Sequence, residues 1–166
     1  MPYQKLFKTI VTKILETLSH ILRKRRETIA VAETTTGGLI CSKIVAIPGS
    51  SLYFSQGIVA YSKYSKIRTL NLDPAFLDQF GEVSRETAQA LAIAVRTTSK
   101  TTHGLAETGI AGPLIGKSSK PLGTTYIALA SPSGTHIANF RLCGNRRQIQ
   151  EGIAKKALEF VIESLT

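Results

Sequence analysis

The chain has 166 residues, 43% of them hydrophobic and 19% charged, and its 21 Lys+Arg against 11 Asp+Glu give a net charge of +10. That apolar content excludes a disordered chain, no apolar run reaches the ~20 residues of a membrane span, and the length suits one domain over residues 1–166. The positive balance favours anionic partners, whether nucleotide, nucleic acid or acidic membrane surface, without selecting one. Cys41 and Cys143 stand alone, with neither a CxxC nor a histidine at ligand spacing. A metal site, a redox motif and a disulfide framework are therefore not expected; two reduced thiols in a cytoplasmic protein are.

The first stretch, Met1–Arg26, carries one acid, Glu16, and could pass for a transit peptide. Its apolar residues Leu6, Ile10, Ile14, Leu18, Ile21 and Leu22 recur at helical spacing, with Phe7, Val11 and Leu15 widening the stripe and Lys5, Lys8, Thr12, Lys13 and Glu16 opposite. It also runs directly into an apolar β-branched segment, Thr28–Glu33, so the spacing predicts the first helix of the fold followed by a buried strand. The Arg23–Arg26 run reads as a solvated helix end that complements the dipole.

Strand and helix then alternate. A helix is predicted from about Leu39 to Ala46, stopped by Pro48-Gly49, and a strand over Phe54–Ser62, where Gly57 marks a close approach or bulge. Lys63–Leu70 reads as a short helix, Asp73-Pro74 opens another, and Ser84 caps a longer one bearing Ala88, Leu91, Ala92 and Val95. A strand near Gly104–Thr108 leads into a Gly/Pro/Lys loop from Gly109 to Gly123. Thr124–Ala130 and His136–Leu142 form a hairpin through Pro132-Ser133-Gly134. Asn145 caps the last helix, which buries Ile149, Ile153, Ala157, Phe160 and Val161. A hairpin among alternating elements implies an α/β fold with a mixed central sheet flanked by helices. His20, His103 and His136 read as surface or edge residues.

Four segments could carry chemistry. Glu33-Thr-Thr-Thr-Gly-Gly38 ends a strand and opens a helix, where free backbone N–H groups and the positive dipole end would suit an anion; a tight strand-to-helix turn with a Thr cap explains it equally. Pro48-Gly-Ser-Ser51 precedes Tyr61 and Lys66. No Ser–His–Asp pattern is visible, and a lysine is the other way to activate a serine, provided it is uncharged near neutral pH against an ordinary pKa of about 10.4. A plain turn is the alternative. Thr108-Gly-Ile-Ala-Gly-Pro113 would let backbone approach a ligand, or simply connect strands. In Gly144-Asn145-Arg146-Arg147, an arginine beside a helix N-terminus suits a phosphate; a solvated charge pair is the alternative.

Together these segments resemble the CinA C-terminal domain family, whose stand-alone members are nicotinamide-mononucleotide amidohydrolases. The resemblance runs from about Leu6 to the C-terminus. It rests on Ala32-Glu-Thr-Thr-Thr-Gly-Gly38, Pro48-Gly-Ser-Ser51, Tyr61-Ser62 with Lys66, Gly81-Glu-Val-Ser84, Thr108–Pro113 and Lys120-Pro-Leu-Gly-Thr124. It implies a three-layer α/β/α sandwich, a homo-oligomer, and hydrolysis of the carboxamide to nicotinate mononucleotide and ammonia without metal or cofactor. It also implies Ser51 as nucleophile, Lys66 as base and Tyr61 as their helper. Thr36, Gly37, Gly38, Thr108, Gly109, Ile110, Ala111, Gly112 and Arg146 would hold the small anionic nucleotide. Departures fall in the substrate loops: Thr34-Thr35 replaces the family's Ser-Cys, Leu114-Ile115 its glycines, Ser119 its Glu, and Cys143-Gly-Asn-Arg146 its Pro-Gly-Asp-Arg. Two further functions compete: a nucleotide-binding relative with little catalysis, supported by those loops, and a nucleic-acid-associated protein, supported by the charge. The second is the weaker, because the basic residues are scattered and no aromatics interleave with them.

Overall fold

Alternating large and small apolar residues along the central strands set the architecture. In the computed structural model, which describes residues 2–115 and 118–166 (for 2–8 the backbone alone), five strands form one mixed sheet in the order β2-β1-β3-β4-β5. These are β1 Ile29–Glu33, β2 Phe54–Val59, β3 His103–Gly109, β4 Thr124–Ser131 and β5 Gly134–Arg141. β1 runs parallel to both β2 and β3, while β3–β4 and β4–β5 pair antiparallel. Ile29, Val31, Leu105, Ile127 and Leu129 face one way and Ala30, Ala32, Ala106, Ala128 and Ala130 the other. That is the period of two expected of strands buried on both faces.

Helices cover both faces, giving the three-layer α/β/α sandwich. α1 (Pro2–Arg25), α2 (Leu39–Val45) and α6 (Arg146–Leu165) pack on the large-residue face through Leu15, Leu18, Leu22, Ile40, Ile44 and Val161. α3 (Lys63–Leu70), α4 (Pro74–Phe80) and α5 (Arg85–Ser99) lie on the alanine face. The caps follow from side-chain chemistry. Ser62, Asp73, Ser84 and Asn145 each accept a backbone N–H of the helix they begin. At the other end, Arg25 Nη2 donates to the Leu165 carbonyl at 2.6 Å, so the basic end of α1 also ties down the end of α6.

The predicted elements recur within three residues of their bounds, α1 at Pro2–Arg25 included. The side chains of Lys5, Leu6, Phe7 and Lys8 lie outside the described residues, as do Gly116 and Lys117 of the long loop. His103 requires a correction: it is buried, not at the surface. Its Nε2 lies 2.8 Å from Glu27 Oε2, a partner 76 residues away that local spacing could not reveal. His20 and His136 are exposed as expected. Gly57 marks a close approach, since a Cβ there would lie 2.3 Å from Cys41 Sγ on α2.

The alanine face lets α5 settle close to the sheet. A Cβ on Gly104 of β3 would stand 2.2 Å from the Ala92 carbonyl oxygen and 2.6 Å from Arg96 Cβ. Neither backbone can yield without parting helix from sheet. Gly104→Ala is therefore expected to destabilise the fold by about 2–3 kcal/mol, measured by urea unfolding.

Candidate active site

Glu33 and Glu107, both fully buried, close the ends of β1 and β3. Glu33 Oε2 accepts from Thr36 Oγ1 at 2.6 Å, Gly38 N–H at 2.8 Å and Ile40 N–H at 3.1 Å; its Oε1 accepts from Cys41 N–H at 2.8 Å. An acidic side chain from β1 thus fills the N-terminus of α2. Glu107 Oε1 accepts from Thr34 N–H at 2.7 Å and Thr36 N–H at 3.0 Å and lies 2.8 Å from Thr36 Oγ1. The Thr36 hydroxyl has one proton to share between the two acids, so both cannot be satisfied as full carboxylates. Burial pushes the Glu107 carboxyl above the usual carboxylate range and Glu33 beside it pushes the same way; the Thr36 and Thr34 donors pull back only in part. Its Oε2 is buried without a partner among the described residues, a smaller penalty for a neutral acid than for a carboxylate.

This network corrects one expectation. The turn after β1 does not offer an open row of N–H groups to an anion, because Thr34, Thr36, Gly38, Ile40 and Cys41 already donate to the two acids. Among the described residues, the N–H groups of Thr35 and Gly37 have no acceptor. The hydroxyls that replace the family's Ser-Cys are also engaged, Thr34 Oγ1 with the Glu107 carbonyl at 3.1 Å and Thr35 Oγ1 with that of Gly109 at 2.9 Å.

Lys66, Tyr61 and Arg146 converge at this same end of the sheet. Lys66 is 2% exposed, and its Nζ donates to Glu82 Oε2 at 2.8 Å and to the Tyr61 carbonyl at 3.3 Å. Thr108 Oγ1 donates to the Glu82 carbonyl at 2.7 Å, linking the lysine's partner to β3. Arg146 Nη1 donates to the Gly112 carbonyl at 2.7 Å, and its Nη2 to the Tyr61 hydroxyl at 3.3 Å. Arg146 is therefore a brace between two loops. Ile110 and Ala111 are buried, and Ile110 N–H already donates to Thr124. A cleft of about 290 Å³ opens between the start of α2 and the first turns of α6, lined by Thr36, Gly37, Gly38, Ser42, Arg147 and Gln150; Lys66, Tyr61 and Arg146 do not line it. Glu107 and Gln150 carried no expected role; Glu82 figured only within Gly81-Glu-Val-Ser84 and Arg147 only within Gly144-Asn-Arg-Arg147, while Glu107 left a signal as an acid inside an apolar strand.

Ser51 is not in this cluster. It sits in a short 3-10 turn, Ser50–Leu52, before β2, whereas Tyr61 and Lys66 follow β2. The neighbouring strand fixes the polarity: Ile29 N–H, at the start of β1, donates to the Tyr53 carbonyl, and Ala60 N–H donates to that of Glu33 at its end. Five residue steps along β2 come to roughly 16 Å, so serine and lysine occupy opposite ends of one strand. The N–H groups of Gly49 and Ser51 have no acceptor among the described residues, which leaves them open to an oxyanion. A larger hollow of about 600 Å³, lined by His20, Arg23, Lys24 and Pro48, lies at the serine's end and away from Lys66. Among the described residues no cluster of acids, histidines and cysteines could hold a metal, and no helix is long and apolar enough to cross a membrane.

Two predictions follow from the buried acids. An acid held protonated by the fold lowers stability as pH rises above about 4.5, where the unfolded chain releases the proton. Glu107→Gln keeps the neutral shape and should flatten that decline, so its unfolding free energy gains on wild type between pH 5 and pH 9; an unchanged slope would contradict the protonated acid. Burial and the neighbouring Glu33 push the Cys41 thiol far above its ordinary value. A disulfide reagent at pH 8 should accordingly titrate only exposed Cys143 quickly in the folded protein, and both thiols after denaturation.

Residues 11–165 match the model of the CinA C-terminal domain. A CinA-like protein of Kosmotoga olearia is 41% identical over 150 residues, covering 90% of this chain and 36% of the relative. One from Solibacter usitatus is 36% identical over 146 residues, covering 88% and 35%. The chain thus spans about a third of the length of these curated relatives. Among solved structures, the competence or damage-inducible protein of Enterobacter asburiae superposes with a TM-score of 0.91 at 24% identity, over 94% of this chain and 98% of that one. The competence/damage inducible protein CihA of Agrobacterium tumefaciens gives 0.88 at 30% identity, over 92% and 94%. The chain belongs to the CinA C-terminal domain family.

Proposed function

We propose that the chain hydrolyses the carboxamide of nicotinamide mononucleotide to nicotinate mononucleotide and ammonia. The observation that carries this reading is the convergence of buried Lys66 with Tyr61 and Arg146 at the carboxyl ends of the parallel strands, the usual place for a ligand in an open α/β sheet. A cleft of about 290 Å³ is at the small end for a ligand site and suits a mononucleotide better than a polymer. The unpaired N–H groups of Thr35 and Gly37, with Arg147 on its rim, are the groups that would receive the phosphate.

Lys66 enters the reaction as the free amine, its ammonium proton having passed to Glu82 or to solvent. It takes the proton of Ser51 Oγ as that oxygen bonds to the carboxamide carbon, and the carbonyl electrons move onto oxygen. The Gly49 and Ser51 N–H groups steady the oxyanion. Its collapse breaks the C–N bond, and Lys66 returns the proton to the departing nitrogen, which leaves as ammonia. Water then attacks the ester and gives a proton to Lys66, which passes it to Ser51 Oγ as the C–O bond breaks and the acid leaves. Tyr61, held by Arg146, positions the lysine end of the site.

Purified wild-type protein is expected to release ammonia from nicotinamide mononucleotide without added metal. Ser51→Ala and Lys66→Met should each lower kcat by at least about 10³-fold with the fold intact by circular dichroism. Full turnover in Ser51→Ala would overturn the assignment. Tight binding of the mononucleotide by wild type without turnover would favour a nucleotide-binding relative, a reading supported by the Lys66–Glu82 ion pair and the distant serine.

A further inference from the structure

We propose that the nucleophile is supplied in trans: two copies of the chain pair antiparallel along the β2 edge, and the partner's Ser51 completes the site built around Lys66. The inference rests on the amidohydrolase reading above, which needs serine and lysine in contact. Within one chain, the roughly 16 Å of β2 from Phe54 to Val59 stand between the serine turn and the lysine helix. Both ends of that strand are hydrogen-bonded to β1, so no local loop movement closes the distance.

The fold offers a simple remedy. β2 is an edge strand with one side paired to β1 and the other open. Ser51 and Tyr61 stand equally far on either side of Gln56, near the middle of β2. A two-fold axis at Gln56 reverses the second strand and brings the partner's Ser51 turn to the end of β2 where Tyr61 and Lys66 lie. The same operation builds a second, identical site from the other pair.

The surface around β2 fits a second copy of the chain. From Ser50 to Ser62 there is no charged residue and no proline, the usual guards of an exposed edge. Large apolar side chains gather along this rim and remain exposed: Leu52 at 64%, Val59 at 48%, Tyr61 at 62% and Tyr64 at 68%. An uncharged strand edge flanked by apolar side chains is a self-complementary surface.

Complementation distinguishes the arrangements. Ser51→Ala and Lys66→Met proteins, each inactive alone, are co-expressed with different tags, and the doubly tagged dimers are isolated. A mixed dimer holds one intact Ser51–Lys66 pair out of two in the trans arrangement and none in the cis arrangement. Recovery of about half the wild-type ammonia release per dimer is expected. Active wild type with inactive mixed dimers overturns the trans site and leaves the amidohydrolase reading standing. No turnover by wild type overturns that reading and the shared site with it. Independently of activity, Gln56→Cys in a Cys143→Ser background should form a disulfide-linked dimer on mild oxidation; a chain that stays monomeric on a non-reducing gel overturns the β2 pairing.

Discussion

One pair of buried acids organises the end of the sheet on which the rest of the site is assembled. Glu33 and Glu107 are buried side by side, and Thr36 bridges them with contacts of 2.6 and 2.8 Å. Two adjacent buried carboxylates would repel strongly; burial and Glu33 push the Glu107 carboxyl up toward its neutral form, which eases that repulsion. The two acids then take up five backbone N–H groups between Thr34 and Cys41, fixing the turn and the start of α2 together. A turn rich in threonine and glycine is otherwise a pliable element. Here it is held from below, which leaves its outer surface as a rigid wall of the cleft.

The two faces of the sheet divide the work. On the large-residue face the acids and α2 build that wall, and α6 contributes Gln150, whose Nε2 donates to the Thr35 carbonyl at 2.9 Å. On the alanine face α5 lies close to β3, and Glu82, just before that helix, reaches Lys66 while its carbonyl receives Thr108. Tyr61 and Arg146 join the two sides above the strand ends. The lysine is therefore positioned by the packing of α5 as much as by its own short helix. It is buried, ion-paired and anchored.

Much of this was legible in the residues. The caps Ser84 and Asn145 and the helix Lys63–Leu70 follow from local chemistry, because a hydroxyl or amide three residues before a free N–H acts within its own turn. The partners of the buried polar groups were not legible. Glu107 meets Thr36 across 71 residues and His103 meets Glu27 across 76, contacts made only by sheet order. The distance between Ser51 and Lys66 is a different case. The strand between them is evident from its apolar run, and its rise per residue alone places its two ends far apart. A family likeness encourages the assumption that motif residues meet within one chain, whereas the topology separates them.

The proposed site shared between copies would give a physical purpose to features that would be liabilities in a monomer: an unguarded edge strand, exposed tyrosines and a serine turn whose N–H groups find no acceptor among the described residues, far from Lys66. The most direct test is a crystal structure of Ser51→Ala with nicotinamide mononucleotide bound. The account predicts the carboxamide near Lys66 Nζ in one chain, with residue 51 of the partner facing its carbon at van der Waals distance. A carboxamide bound against residue 51 of its own chain, away from Lys66, would contradict it.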